Sequence, residues 1–519
     1  MNSGAYPPVT RPQQLRGYGP ALVCLLFGAG AVLAFAPFRA WPVALVSLSG
    51  LAWFLDQAPT TRRAAAMGFS FGLGYFLTGV SWVYVSMHDF GGMALPIAAF
   101  ATTFFCSYLA LFPAAASWLT HTLSRTRGLR LVLLFPASWA LAEWMRSWVF
   151  TGFPWLAVGY SQSPSGPLSG YSAVFGVYGV SLATALSAGL LAWWSPWTRR
   201  KSASALLLHP APGVLVVLFS IGWGLGQTTW TRPAGEPLTV SLIQGNIDQN
   251  IKWQPEAVRA TLDKYLELTL ASKSRLIVLP ETALPVFNVD VPRNYFDLLT
   301  RHARDIGGDI LLGVPEYVGG SAPRFYNSVM SYGSSPTQLY RKYHLVPFGD
   351  YFPRWFFITW VMNTLDIPMA DFSRGEPFQN PLAVAGQRVA VNICYEDVFG
   401  EEIIRQLPEA TLLANFTNDA WWGDSIASAQ HLQMSQMRSQ ETGRYMLRAT
   451  NTGVTAIIDE RGRIREQAPE FVSISVQGLA QGYSGSTPFI FWGNWAFLTI
   501  AGAMIAISLV KGRREHGEQ

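Results

Sequence analysis

The chain has 519 residues, half of them hydrophobic and only 13% charged, where ordinary soluble domains carry roughly 25%. A mean hydropathy of +0.22 and 20 Trp exclude an ordinary cytosolic enzyme, a disordered protein and a nucleic-acid reader. Residues 232–470 hold 22 Lys+Arg against 27 Asp+Glu, net −5, and the remainder 15 against 5, net +10. The pI near 9.0 therefore averages a mildly acidic soluble part and a basic apolar part.

In chain order, charge-free runs cover Gly17–Phe38, Ala40–Leu55, Ala64–Met87 and Phe90–Thr120. A span over about Gly128–Val149 carries Glu143 and Arg146; Ser147–Thr198 leaves room for a loop and one helix, and Ser202–Thr231 for another. The run Phe471–Val510 holds a last helix from about Pro488. Crossing about 30 Å of hydrocarbon takes roughly 20 apolar residues, so eight transmembrane helices are expected. Ala34-Phe35-Ala36 resembles a signal-peptidase site, but Pro37 directly after it blocks cleavage, so the first run reads as an anchor. Thirteen Lys/Arg (among them Arg62, Arg63, Arg127, Arg130 and Lys511) fall on one side of these spans and only Arg39 and Arg146 on the other. The positive-inside bias puts both termini in the cytoplasm and the soluble domain on the far side. The expected division is 1–231 for helices one to seven, 232–487 for the soluble domain and 488–519 for the eighth helix and tail.

Within the soluble domain, Pro237–Ile247, Arg275–Leu279, Asp309–Val314, Phe325–Tyr332, Val389–Ile393, Ala410–Asn415 and Gly453–Asp459 read as strands. Pro255–Ser272, with Leu262, Leu266 and Leu270 at i+4 spacing, and Gln430–Arg444 read as helices. Alternation of this kind predicts a layered α/β domain. Leu312–Tyr317 is expected to end in a turn, and Gly482–Thr487 to be a short linker. Three cysteines (Cys24, Cys106, Cys394) make no disulfide framework, and Cys394 has no partner within its domain.

Three strand ends carry reactive groups: Leu279-Pro280-Glu281-Thr282, Tyr340-Arg341-Lys342-Tyr343-His344 followed by Val346-Pro347-Phe348-Gly349-Asp350, and Ile393-Cys394-Tyr395-Glu396-Asp397. Singly, each has an ordinary reading: a solvated turn acid, a snorkelling lysine, a small buried thiol. Glu, Lys and Cys in this order at successive strand ends resemble the carbon–nitrogen hydrolase (nitrilase) superfamily. With helices before and after that domain, and with Glu143-Trp144-Met145-Arg146 and Gly152-Phe153-Pro154-Trp155 in the membrane part, the chain resembles the bacterial apolipoprotein N-acyltransferase family.

The resemblance implies an αββα sandwich beside the helical bundle, in the bacterial inner membrane with a periplasmic catalytic domain. It implies Glu281 as general base, Cys394 as nucleophile, and Lys342 with the Tyr395 N–H at the oxyanion. By position Asp350, where the family more usually has Glu, orients the lysine. Glu396 supports the site or merely starts a helix, and either Asp350 or Glu396 could serve Lys342. Trp253, Asn327, Trp421 and Trp422 resemble acyl-pocket positions, while tryptophans near a membrane are also interfacial anchors. His344 lacks a ligand-spaced cluster, so neither a metal nor a cofactor is expected. The aromatic stretch Tyr351–Met362 reads as core or as a loop entering the bilayer.

The expected reaction transfers an acyl chain from a phospholipid, phosphatidylethanolamine, through a Cys394 thioester to the N-terminal amine of a diacylglyceryl apolipoprotein. The protein is expected to be a monomer in the lipid bilayer with no nucleic-acid partner. Two rivals are a membrane-anchored amidase or nitrilase, which would not need eight helices, and a transporter with a sensor domain, for which the spans offer few ionisable residues.

Overall fold

A computed structural model describes residues 18–124, 126–195, 208–352 and 371–517. The N-terminal part is helical: α1 Gly19–Ala31, α2 Pro42–Gln57, α3 Thr61–Gly79, α4 Leu95–Leu123, α5 Phe135–Arg146, α6 Ser172–Trp194 and α7 Pro210–Gln227. Among the described residues, Leu95–Leu123, Ser169–Trp194 and Pro210–Gln227 are long and apolar enough to cross a membrane. A fourth candidate is α3 with Val83–Phe90, bent by 59°. By this measure three or four of the eight expected spans are shown among the described residues. The reason is length: α1 has 13 residues and α2 has 16, short of 30 Å at 1.5 Å per residue. The span holding Glu143 and Arg146 is broken by a π-type turn at Arg130–Leu134, and the last apolar helix is Trp495–Lys511.

Close backbone approach binds the bundle. A Cβ on Gly28 of α1 would lie 1.9 Å from the Phe71 carbonyl oxygen of α3, and one on Gly74 would lie 2.1 Å from that of Leu25. Small residues at such crossings let helices pack where lipid removes the hydrophobic drive.

The soluble part has strands β1 Thr231–Pro233, β2 Leu238–Gln244, β3 Leu276–Val278, β4 Asp309–Val318, β5 Arg324–Gly333, β6 Leu339–Arg341, β7 Leu382–Val384, β8 Gln387–Ile393, β9 Leu412–Thr417, β10 Met446–Thr450, β11 Ala456–Ile458, β12 Ile464–Gln467, β13 Ile474–Ala480 and β14 Tyr483–Gly485. Its longer helices are α8 Pro255–Leu270, α9 Arg293–Asp305 and α10 Ala427–Thr442, and α11 Trp495–Gly517 follows. Two six-stranded sheets form, ordered β13-β2-β3-β4-β5-β6 and β12-β11-β10-β9-β8-β7.

Side-chain alternation explains the layers. Val240, Leu242 and Val278 of one sheet meet Val391, Leu412 and Phe416 of the other in a shared core. The alternate residues Ile243, Ile277 and Ile310 face Leu262 and Tyr265 of α8 and Leu299 of α9. On the far side Ala390, Leu413 and Met446 pack on Leu432 of α10. This is an αββα sandwich.

Two local expectations change. Leu312–Tyr317 holds no turn, because β4 runs through it to Val318 against all of β5. The supposed linker at Gly482–Thr487 contains β14, which pairs antiparallel with β1, so the segments entering and leaving the soluble part are stitched together.

Candidate active site

Glu281 follows β3, Lys342 follows β6 and Cys394 follows β8, and the sandwich brings all three ends together. Glu281, Lys342 and Asp350 are buried. The Lys342 ammonium lies 2.7 Å from Asp350 Oδ2 and 3.4 Å from Glu281 Oε1. Burial pulls this ammonium down, but the Asp350 and Glu281 carboxylates outweigh it and hold Lys342 above its ordinary value. Asn327 on β5 donates Nδ2–H to Glu281 Oε1 at 2.7 Å, and its carbonyl accepts the Lys342 N–H at 2.8 Å. Asn327 therefore sits on the carboxylate of Glu281.

Asp350 reaches Lys342 directly in spite of its short side chain. The turn Val346–Asp350 closes through Asp350 N–H to Val346 O at 2.8 Å, and Asp350 Oδ2 takes the Val346 N–H at 2.8 Å. This turn places the Asp350 carboxylate at the ammonium without a longer side chain.

Cys394 departs from the strand geometry. It has φ +53° and opens a 3-10 turn over Cys394–Val398, so Glu396 is not on a continued strand. A left-handed residue with a Cβ costs roughly 1–2 kcal/mol. Asn415 Nδ2–H to the Cys394 carbonyl (3.1 Å) and Ile393 N–H to Glu396 Oε2 (2.6 Å) brace the turn. Burial and then the Glu281 charge raise the Cys394 thiol above its ordinary value, against Lys342 and the Thr417 hydroxyl, which lower it. A thiol held protonated needs a base in reach to become a nucleophile.

Glu396 is buried but makes no ion pair with Lys342. Its Oε1 takes the N–H groups of Tyr343 (2.6 Å) and His344 (3.0 Å), and its Oε2 takes the Tyr340 hydroxyl at 3.1 Å besides Ile393. It ties the lysine-bearing segment to the Cys394 turn. Burial raises Glu396 from 4.5 to about 7, opposed by the Ile393 and His344 N–H groups.

Tyr395 faces the membrane part. Its hydroxyl donates to the Gly152 carbonyl at 3.2 Å, and its ring stacks on Phe153 and Trp155, centroids 6.3 and 6.4 Å away. Trp422 packs on Trp82 and Trp155. Trp421 is partly exposed beside Phe90, and its carbonyl accepts Ser86 Oγ–H at 2.8 Å. Trp253 is half exposed beside the Lys252 ammonium. His344 stacks on Phe399 with centroids 3.8 Å apart and bridges Glu402 and the Thr151 carbonyl, a structural contact between the two parts. From residue 353 onwards the Tyr351–Met362 stretch lies outside the described residues.

Several site residues carried no usable sequence signal. Asp397, Asp419, His431 and Arg448 are fully buried. His431 Nε2 lies 2.7 Å from Asp397, Arg448 Nη2 lies 2.8 Å from Asp419, and Arg448 Nη1 reaches Asn415 at 2.6 Å. Lys252 is buried as well. Among the described residues no group of three or more His, Cys, Asp or Glu is placed to hold a metal ion.

The profile of the carbon-nitrogen hydrolase family matches residues 239–489, and that of the apolipoprotein N-acyltransferase N-terminal domain matches residues 27–190. The apolipoprotein N-acyltransferase of Nitrosomonas europaea is 49% identical, covering 96% of this chain and 100% of its own. The chain belongs to the apolipoprotein N-acyltransferase family. The enzyme of that name from Methylococcus capsulatus is 44% identical over 95% of this chain and 96% of its own. That of Ralstonia nicotianae is 42% identical over 96% and 94%. The family pairs a membrane part with a carbon-nitrogen hydrolase domain, and these are the helical bundle and the sandwich described above.

Proposed function

We propose that this chain is an acyltransferase that moves a fatty acyl group from a phospholipid, phosphatidylethanolamine, to the α-amine of a diacylglyceryl-cysteine at a lipoprotein N-terminus. The single observation carrying the reading is the convergence of Glu281, Lys342 and Cys394 on the membrane-facing side of the sandwich, beside Tyr395 and the Phe153–Trp155 loop. Glu281 takes the thiol proton, and the thiolate attacks the ester carbonyl. Lys342 and the Tyr395 N–H stabilise the oxyanion. Collapse breaks the C–O bond, and the lysophospholipid oxygen leaves with the proton from Glu281. The lipoprotein amine then attacks the thioester, its N–H proton passes to Glu281, and the thiolate leaves. Aromatic packing around Tyr395 favours transfer over hydrolysis by limiting water.

Asp350 holds Lys342 and Glu396 holds the two catalytic segments together, while Asn327 orients Glu281. Trp253 and Trp421, exposed at the rim, take the acyl chain. The catalytic part spans 232–487, preceded by seven crossings in 1–231 and followed by the eighth in 488–519; the helices α1, α2, α5 and α11 complete the count. The charge asymmetry supports a periplasmic catalytic part in the inner membrane and cytoplasmic termini. A monomer accounts for the complete site, since every group in it comes from one chain.

Intact-mass analysis after incubation with phosphatidylethanolamine in detergent tests the chemistry. The parent should gain one acyl mass, and Cys394→Ala should gain none. An equal gain in both would remove the covalent mechanism.

A further inference from the structure

Charge balance in the site is incomplete without one more residue. Glu281 and Asp350 are two buried carboxylates sharing one ammonium, Lys342. A net buried negative charge of this kind drives one acid to keep its proton, which would disable the base. Among the described residues only two lysines are buried, Lys342 and Lys252. Lys252 lies in the segment after β2 with 0% of its surface exposed. Its Nζ donates to Thr282 Oγ1 at 2.7 Å, the residue directly after Glu281, and lies 5.7 Å from the centre of the Trp253 ring. No carboxylate lies within 4.0 Å of it among the described ion pairs, and the charge acting on it is that of Glu281.

We propose that Lys252 is a positioning residue for the general base: its ammonium balances the second carboxylate of the Glu281–Lys342–Asp350 group and, through Thr282, fixes the turn carrying Glu281. This rests on the reading of Glu281 as base. Thr282 has φ +45°, so the turn is strained, and the hydrogen bond from Lys252 holds the side chain of the strained residue. Burial lowers Lys252 to about 8, and the Glu281 carboxylate opposes that fall, so the charged amine and the carboxylate favour one another. The groups facing Glu281 are Lys342 from the end of β6, Cys394 from the end of β8, Lys252 from the segment after β2, and Asp350 behind Lys342.

The test is the rate of Cys394 acylation against pH, read by intact mass, in the parent, Lys252→Met, Lys252→Arg and Glu281→Gln. Removing one buried charge of a balanced group destabilises the fold, so a thermal melt first sets an assay temperature at which Lys252→Met is folded, and Lys252→Arg, which keeps the charge, serves as the folded control. Without the ammonium, one carboxylate keeps its proton to higher pH. The acid limb of the Lys252→Met profile should therefore move up by about one pH unit, the usual effect of a neighbouring charge. Rates at the alkaline end should stay within about threefold of the parent, and Lys252→Arg should keep the parent limb. A Lys252→Met profile superposed on the parent, or lowered equally at all pH values, overturns the proposal while leaving the base intact. Parent-like acylation by Glu281→Gln overturns the underlying reading of Glu281 instead.

Discussion

At the scale of single residues, Asp350 and Glu396 divide a task that the sequence left between them. Asp350 touches Lys342 at 2.7 Å; Glu396 takes the Tyr343 and His344 N–H groups that follow the lysine and the Tyr340 hydroxyl that precedes it. Asp350→Asn removes the charge that holds the ammonium in place, so thioester formation should slow on the order of 100-fold with the melting temperature little changed. Asp350→Glu must displace the Val346–Asp350 turn and should fall in between; parent-like acylation by Asp350→Asn would reduce Asp350 to a turn residue. Glu396→Gln puts an amide N–H opposite a backbone or hydroxyl donor and should cost about 1–3 kcal/mol. The pH dependence has a definite sign. Glu396 binds its proton more tightly folded (about 7) than unfolded (4.5), so its contribution to stability is full below about 4.5 and is lost as pH rises through about 7. Thermal melts between pH 4.5 and 7.5 should fall less steeply in Glu396→Gln, and an unchanged slope would contradict the shift.

At the scale of elements, α10 joins the two parts. Its 16 residues are mostly polar, yet 14 of them are buried. Gln430 Oε1 accepts the Trp155 indole N–H at 2.6 Å, Gln433 Oε1 accepts the Ala36 N–H at 2.9 Å, and Glu441 Oε1 accepts the Val177 N–H at 2.7 Å. That last bond exists because α6 breaks at Gly176, φ +65°, which frees the next N–H from the helix ladder. A Cβ on Gly176 would lie 2.4 Å from the Phe489 ring, and the positive φ adds its own cost. Gly176→Val should therefore destabilise by about 2 kcal/mol or more. Glu441→Ala should also destabilise, because it strands the buried Arg438 guanidinium now 2.8 Å from Glu441. Melts followed by tryptophan fluorescence would test both; unchanged midpoints would show that α10 does not clamp the bundle.

At the scale of the whole molecule, the bundle and sandwich share one apolar cluster: Tyr395, Val398, Phe399 and Met434 pack with Phe71, Trp82, Trp139 and Trp155. The Cys394–Val398 turn is therefore seated on the membrane part. The proposed orientation predicts the accessibility of introduced cysteines. In spheroplasts, a cysteine at Gly320, on an exposed loop, should react with a membrane-impermeant thiol reagent. One at Thr126 should react only after permeabilisation. The reverse pattern would put the sandwich in the cytoplasm.

The sequence by itself determined what depends on neighbours along the chain. The alternation of Val240, Ser241, Leu242 and Ile243 dictates a strand buried on both faces, and the charge-free runs dictate helices in an apolar solvent. The order Glu281, Lys342, Cys394 at strand ends carried the resemblance to carbon–nitrogen hydrolases, and the fold brings those three ends together. Helix α9 was missed, its polar composition hiding an apolar stripe of Tyr295, Leu299 and Ala303, and the strands β1, β7, β10, β12, β13 and β14 were missed as well. Tertiary structure alone decided which polar groups are buried. Gln430 meets Trp155 across 275 residues and Lys252 meets Thr282 across 30, distances at which no local pattern carries a signal. In sequence a lysine beside a tryptophan reads as a surface residue, and a helix rich in Gln and Ser reads as solvated. Each is buried because a partner from a remote segment satisfies its hydrogen bonds, and such a partner exists only once the chain has folded.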